Sequence, residues 1–141
     1  MKLGRILPLL LGVLFWGSTS VFAENMQFVD AVGPTGYYVD VDSLSYSTVS
    51  EWQPDNTTKE YELVQARVAV IKARTNRRYI YLMQFNKDKR VYHILSSKVQ
   101  VYDTKQILEE SGDQHLDLPF VETSPMQTVV DFIYEQPRKG N

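Results

Sequence analysis

The middle of the chain repeats its apolar side chains with a period of two residues, and this period restricts it to β-strands. Within residues 60–73, one face of the extended chain carries Val64, Ala66, Val68 and Val70. The opposite face is also largely apolar, with Tyr61, Leu63, Ala69 and Ile71. A strand that is apolar on both faces needs cover on both sides, or it leaves one side available to a partner.

The segments around this strand predict an antiparallel meander. Residues 79–85 alternate again, and one face of this run carries Tyr79, Tyr81, Met83 and Phe85. Tight turns are expected at residues 75–77 and 86–89, and short turns between sequential strands are typical of antiparallel sheets. Other strands are predicted at residues 26–32, 37–41, 46–52, 91–95 and 99–102. The last two are either one strand with a bulge at Ser96 and Ser97 or two strands, and residues 105–110 fit a strand or a helical turn.

One helix is predicted near the C-terminus. Ser124 is a good N-cap, Pro125 suits the first helical position, and Gln127 has the spacing of a capping box. Helical spacing places five apolar residues on one stripe, namely Met126, Val129, Val130, Ile133 and Tyr134. We therefore predict an α+β domain, with an antiparallel meander sheet of five to six strands and this C-terminal helix packed on one face.

The first 23 residues have the layout of a secretory signal peptide. Lys2 and Arg5 precede an apolar run at residues 6–16, and small and polar residues follow up to Ala23. The run is shorter than the roughly 20 residues that a membrane span needs. We expect residues 1–23 to be removed and residues 24–141 to form a single exported domain in the periplasm, at the cell surface or outside the cell.

Composition excludes several classes of chemistry. The chain has no cysteine, so disulfides, thiol catalysis and zinc–thiolate sites are excluded. Removal of the leader takes away Lys2 and Arg5 and no acidic residue, which changes the formal net charge from −2 to −4. This mildly acidic balance argues against a nucleic-acid partner.

Catalytic and cofactor motifs are not found in the sequence. His93 and His115 are the two histidines, and neither has a second ligand at metal spacing. Asp40 and Asp42 could form an acid–base pair, but carboxylates at a strand end more often accept hydrogen bonds from backbone N–H groups. We expect no enzyme activity, no metal and no cofactor. A small hydrolase that uses Asp40 and Asp42 remains an alternative.

Basic residues fall in two clusters at opposite ends of the predicted central hairpin. One cluster is Arg74, Arg77 and Arg78, and the other is Lys87, Lys89 and Arg90. Eight strand residues at about 3.3 Å each would separate the clusters by roughly 25 Å. Two solvated turn clusters are therefore favoured over one continuous anion-binding groove.

The order of several short motifs resembles the surface-adhesin protein E family of small exported bacterial proteins. The motifs are an early hairpin that leads into residues 38–44, then the long central strands, residues 101–103, Pro119, Ser124 and the last helix. Phe28 stands where the family typically has Trp, and the family's cysteine pair that ties in the helix is missing. The resemblance implies an antiparallel sheet with a packed helix and binding of a host extracellular or envelope protein.

We interpret the chain as a non-catalytic, adhesin-like binding domain. The candidate partner-binding residues are Tyr79, Tyr81, Met83, Arg74, Arg77 and Arg78. The three residues of the strand at 79–85 form either a core face or an interaction patch, and the core is favoured. A structural or oligomerising component of the cell envelope is a further alternative.

Overall fold

The structure is a computed structural model that describes residues 24–138. The predicted signal peptide, residues 1–23, lies outside the described residues. Between residues 24 and 138, no helix is both long and apolar enough to cross a lipid bilayer. The strands are β1 (Met26–Val32), β2 (Thr35–Trp52), β3 (Thr58–Lys72), β4 (Arg77–Asn86), β5 (Val91–Val101), β6 (Ile107–Ser111) and β7 (Asp117–Pro119), and the helix is α1 (Pro125–Glu135).

All seven strands form one antiparallel sheet. Strands β1 to β6 follow each other in sequence order, as a meander does, and β7 pairs with the first part of β5. Strands β6 and β7 thus share the same edge of β5, at opposite ends of it. The predicted α+β class with an antiparallel meander and a C-terminal helix is confirmed. The predicted count of five to six strands is too low, because β6 lies in a segment that the sequence left open and the three-residue β7 is too short to give a periodic signal, even though predicted segments merge into single strands at β2 and β5.

Residues 37–52 form one long strand rather than two short ones. The register with β3 shifts between Asp40 and Ser45, where β2 has four residues opposite Ala66 alone. Ser43 holds this bulge, because its hydroxyl donates to the Asp40 carbonyl (2.7 Å) and accepts the Arg67 backbone N–H (2.8 Å). The segment between the predicted strands 37–41 and 46–52 therefore forms a bulge within one continuous strand.

Two alternatives that the sequence left open are resolved as strands. Residues 91–101 are one strand, and the register with β4 shifts beside Leu95, next to the expected bulge at Ser96 and Ser97. Residues 105–110 are not a helical turn, because Ile107–Ser111 pairs with β5. The outer strand β6 is exposed along its whole length.

The helix begins and ends as its sequence predicts. The Ser124 hydroxyl accepts the Gln127 backbone N–H, Pro125 follows it, and the helix ends two residues before Pro137. The return bond of a capping box is not made, since the Gln127 side chain bonds Asp131 (2.8 Å) and Arg90 (3.2 Å) instead.

The core lies between this helix and one face of the sheet. Val129, Val130 and Ile133 are fully buried, and they pack on a layer formed by Val39, Val64, Ala66, Val68, Met83, Phe85 and Phe120. Each buried aliphatic side chain contributes about 1.5–3 kcal/mol of transfer free energy. The predicted helical stripe and the predicted apolar face of β3 are thus confirmed as the two sides of one interface.

Polar contacts fasten the C-terminal end of the helix to the sheet. The Tyr134 hydroxyl donates to the Glu62 carbonyl at 2.7 Å and lies 3.0 Å from the Phe85 carbonyl. Burial raises the pKa of Tyr134 to about 12. Just beyond the helix, Arg138 forms a bidentate pair with Glu62 at 2.8 Å and stacks on the Tyr46 ring at 4.1 Å.

The opposite face of the sheet has no helix on it within residues 24–138. Its centre is nevertheless buried at Ala69 and Ile80. Arg78 also lies on this face, where its guanidinium donates to Gln100 at 2.7 Å and pairs with Glu24. The chain before β1 therefore supplies part of the cover for this second face.

We expect Val130→Asp to unfold the domain, because it places an unpaired charge in a fully buried position. Such a charge lowers the free energy of unfolding by about 3–5 kcal/mol, which is a large share of the 5–15 kcal/mol typical of a domain. The measurement is thermal melting followed by circular dichroism. Thr128→Asp is the control, because it adds the same charge at an exposed position of the same helix. A wild-type melting temperature for Val130→Asp would show that the helix is not packed on the sheet.

Candidate functional site

A groove lies on the helix-bearing face of the sheet, beside the first turn of α1. Its volume is about 340 Å³. Strands β2 to β5 supply its floor and walls, and the helix supplies one end. We call it the tyrosine groove, and its lining residues are Tyr37, Val68, Val70, Lys72, Tyr79, Tyr81, Met83, Tyr92, Ile94 and Met126.

Strand register explains why these residues meet. Tyr37 pairs with Val70, which in turn pairs with Tyr79 on β4. Two residues further along the same two strands, Val68 pairs with Tyr81. Paired residues share a face, so small valines on β3 form the floor between taller tyrosines on β2 and β4. The groove exists because the helix covers only part of this face.

The tyrosine hydroxyls of the groove differ in their hydrogen bonds from those of Tyr46 and Tyr134, which fasten the helix end to the sheet. Tyr46 and Tyr134 donate hydrogen bonds to backbone carbonyls. Within residues 24–138, the hydroxyls of Tyr37, Tyr79, Tyr81 and Tyr92 make no such bond, and all four side chains are partly exposed. Burial, and then the proximity of the other three phenols, raises the pKa of Tyr81. Four phenol groups therefore line one apolar surface, and none of their hydroxyls bonds a backbone carbonyl within residues 24–138.

Lys72 is the one charged residue among those that line the groove. It ends β3, and its ammonium lies 5.5 Å from the centre of the Tyr79 ring. Arg77 pairs with Lys72 across the strands, and its guanidinium donates to the carbonyls of Thr75 (3.4 Å) and Asn76 (3.2 Å). This end of the groove is therefore positively charged.

The structure brings together three of the six predicted partner-binding residues. Tyr79, Tyr81 and Met83 line the tyrosine groove, with Met83 at its bottom, 1 % exposed. Met83 is core, as favoured from the sequence, whereas the two tyrosines form the groove wall.

The three predicted arginines do not form one patch. Arg74 is exposed in the 3₁₀ turn after β3, and Arg77 lies at the end of the helix-bearing face. Arg78 is on the opposite face, buried and paired with Glu24. Consecutive strand residues point to opposite faces, so Arg77 and Arg78 cannot bind one ligand side by side.

Asp40 and Asp42 are not paired across a pocket. Asp40 is 3 % exposed, and its Oδ1 accepts the backbone N–H groups of Asn25 (3.2 Å) and Asp42 (3.1 Å). Its Oδ2 lies 3.5 Å from the Arg67 guanidinium. Asp42 is exposed to solvent. The interpretation that a carboxylate here satisfies backbone N–H groups is confirmed for Asp40.

The histidines lie away from the groove floor, near the β7 edge. His93 is half-buried between two carboxylates, with Nε2 at 2.5 Å from Asp113 and Nδ1 at 3.4 Å from Asp117. His115 is exposed to solvent. The part of the chain that the structure describes contains no group of three His, Asp or Glu side chains placed to hold a metal ion.

Sequence reasoning named three of the ten groove residues as binding residues. The missed residues are Tyr37, Val68, Val70, Lys72, Tyr92, Ile94 and Met126. The register of a β2–β3–β4 meander could have placed Tyr37 and Lys72 beside Tyr79, because each lies on the same face as the valines of β3. Tyr92 pairs with Phe85 next to the turn between β4 and β5, so the register of that hairpin could have placed it too. Met126 depends on the position of the helix, which has no local signal.

Comparisons with known proteins do not assign a function. No family model, no curated protein and no solved structure matches the chain. The resemblance to the surface-adhesin protein E family stays a prediction from sequence. A functional proposal therefore depends on the groove and on the leader sequence.

We expect His93 to make stability depend on pH. The hydrogen bond to Asp113 raises the pKa of His93 above its ordinary value of 6.5. The stabilisation is thus fully present below about pH 6.5 and is lost as the pH rises through the folded-state pKa. The measurement is the difference in melting temperature between the wild type and His93→Asn, which should be larger at pH 6 than at pH 8.5. The control is His115→Asn, and an equal difference at both pH values would contradict the expectation.

Proposed function

We propose that this protein is a non-catalytic binding domain that is exported by a bacterium and binds its ligand in the tyrosine groove. The observation that carries the proposal is the convergence of four phenol groups over an apolar floor. Aromatic surfaces with a few polar groups are typical of binding sites, since the rings give contact area and the polar atoms fix orientation.

The incomplete cover of the sheet supports the same proposal. The helix buries Val129, Val130 and Ile133 on one part of its face, while Tyr79 and Tyr81 stay partly exposed on another. Removing their remaining apolar surface from water would favour binding by about 25 cal/mol per Å².

The surroundings of the carboxylates favour a binding role over hydrolysis. A general base needs a carboxylate oxygen within hydrogen-bond reach of its substrate. Both oxygens of Asp40 face protein donors, and Asp42 is on the solvent-exposed side of the bulge. Asp40 therefore acts in our proposal as a structural acceptor that stabilises the bulge of β2.

The place of action follows from the leader sequence. Residues 1–23 have the layout of a signal peptide, so we propose that the domain works in the periplasm, at the cell surface or outside the cell. The family resemblance implies a host extracellular or envelope protein as partner. The mildly acidic charge disfavours a nucleic-acid partner.

The test is a saturation-binding assay with the exported protein against purified host matrix proteins and against the protein and small-molecule fractions of envelope extracts. We expect saturable binding to at least one of them, and a loss of about tenfold or more in affinity for Tyr79→Ala, which corresponds to about 1.4 kcal/mol. The matched control is Tyr38→Ala, because Tyr38 lies on the opposite face of the sheet, opposite Ala69. Absence of saturable binding, or equal loss in both variants, would contradict the groove as the binding site.

A further inference from the structure

We propose that the tyrosine groove takes a small amphipathic organic anion, a molecule with an apolar ring or chain that ends in a carboxylate, sulfate or phosphate group. The inference rests on the proposed function, because it names the ligand class for the same groove. Three features of the groove each select one property of this ligand: the floor, the phenol groups and the charge at one end.

The floor selects an apolar body. It consists of the aliphatic and thioether side chains Val68, Val70, Ile94, Met83 and Met126. Val68 and Met83 are already buried by their neighbours, so the floor is part of the packed core and keeps its shape without a ligand. A preformed apolar surface binds an apolar group without the cost of ordering its own side chains.

The phenol groups select a hydrogen-bond acceptor. Tyr37, Tyr79, Tyr81 and Tyr92 each carry one O–H donor, and none of these hydroxyls is bonded to a carbonyl within residues 24–138. Burial raises the pKa of Tyr81, so this hydroxyl keeps its proton at physiological pH and can donate it. Hydrogen bonds from such donors are about twice as strong when the acceptor is ionised.

The charge at one end selects an anion. Lys72 is the charged member of the groove lining, no Asp or Glu is among the lining residues, and Arg77 lies across the strands from Lys72. The Lys72 ammonium sits 5.5 Å from the Tyr79 ring, so a ligand anion near it would also meet the phenol groups. An anionic head group beside Lys72 therefore gains both a charge partner and hydrogen-bond donors.

The volume of the groove suits a small organic ligand. Pockets for such ligands have volumes of about 300–1,000 Å³. The tyrosine groove, at about 340 Å³, lies at the lower end of this range.

The experiment compares two fluorescent probes that share one aromatic frame. One is 8-anilinonaphthalene-1-sulfonate, which carries an anion, and the other is N-phenyl-1-naphthylamine, which is neutral. The exported wild-type protein is titrated with each probe at low and high salt. The variants are Lys72→Glu, Tyr81→Phe and, as a matched control, Lys98→Glu, which makes the same charge change on the opposite face, across from Ile80. Thermal melts verify that each variant is folded.

We expect one saturable site for the sulfonate probe, with tighter binding than for the neutral probe. The dissociation constant of the sulfonate should rise about tenfold in Lys72→Glu and several-fold in Tyr81→Phe, and stay within about twofold in Lys98→Glu. Binding of the neutral probe should not depend on Lys72. High salt should weaken only the sulfonate.

Three other outcomes would overturn the inference. If both probes bind equally and Lys72→Glu changes neither, the groove binds neutral apolar ligands, and the proposed binding function would stand without the anion. If the sulfonate is displaced only by a protein partner and not by free amphipathic acids such as decanoate, the natural occupant is a protein segment. If neither probe binds, the anion inference fails, and the binding assay with host and envelope components decides separately whether the groove binds a partner.

Discussion

The fold depends on one interface, in which the stripe of α1 packs on the valine-rich face of the central strands. Val129, Val130 and Ile133 are completely buried there, against Val39, Val64 and Val68. The chain has no cysteine, so packing and polar contacts hold the helix. The bidentate pair between Arg138 and Glu62 and the hydroxyl of Tyr134 fix the C-terminal end of the helix to β3.

The same interface creates the candidate site. An 11-residue helix covers only part of a sheet face that four long strands build, and the part left over is the tyrosine groove. The residues differ accordingly. Valines and Met83 continue from the region under the helix into the floor of the groove, and only the uncovered region adds the four tyrosines as walls, whose rings tolerate contact with water through their hydroxyls. Fold and candidate function are therefore two uses of one apolar surface.

Local sequence patterns predict the parts of this structure that depend on neighbours along the chain. The two-residue period at Val64 to Val70 and the cap at Ser124 each act over a few residues, and both are found as expected. The continuity of β2 was missed because the bulge is held by a long-range bond from Arg67 to Ser43, while the local sequence resembles a turn. The groove was found only in part for the same reason. Tyr79 and Tyr81 belong to one alternating run, but Tyr37, Tyr92 and Met126 reach them only through strand register and helix placement.

The position of the helix after all seven strands has a consequence for folding. Because synthesis runs from the N-terminus, the sheet is made first, and the valine layer stays exposed until residues 125–135 emerge. A chain that stops before these residues lacks the element that closes its core. The order of elements thus delays completion of the core until α1 has been made.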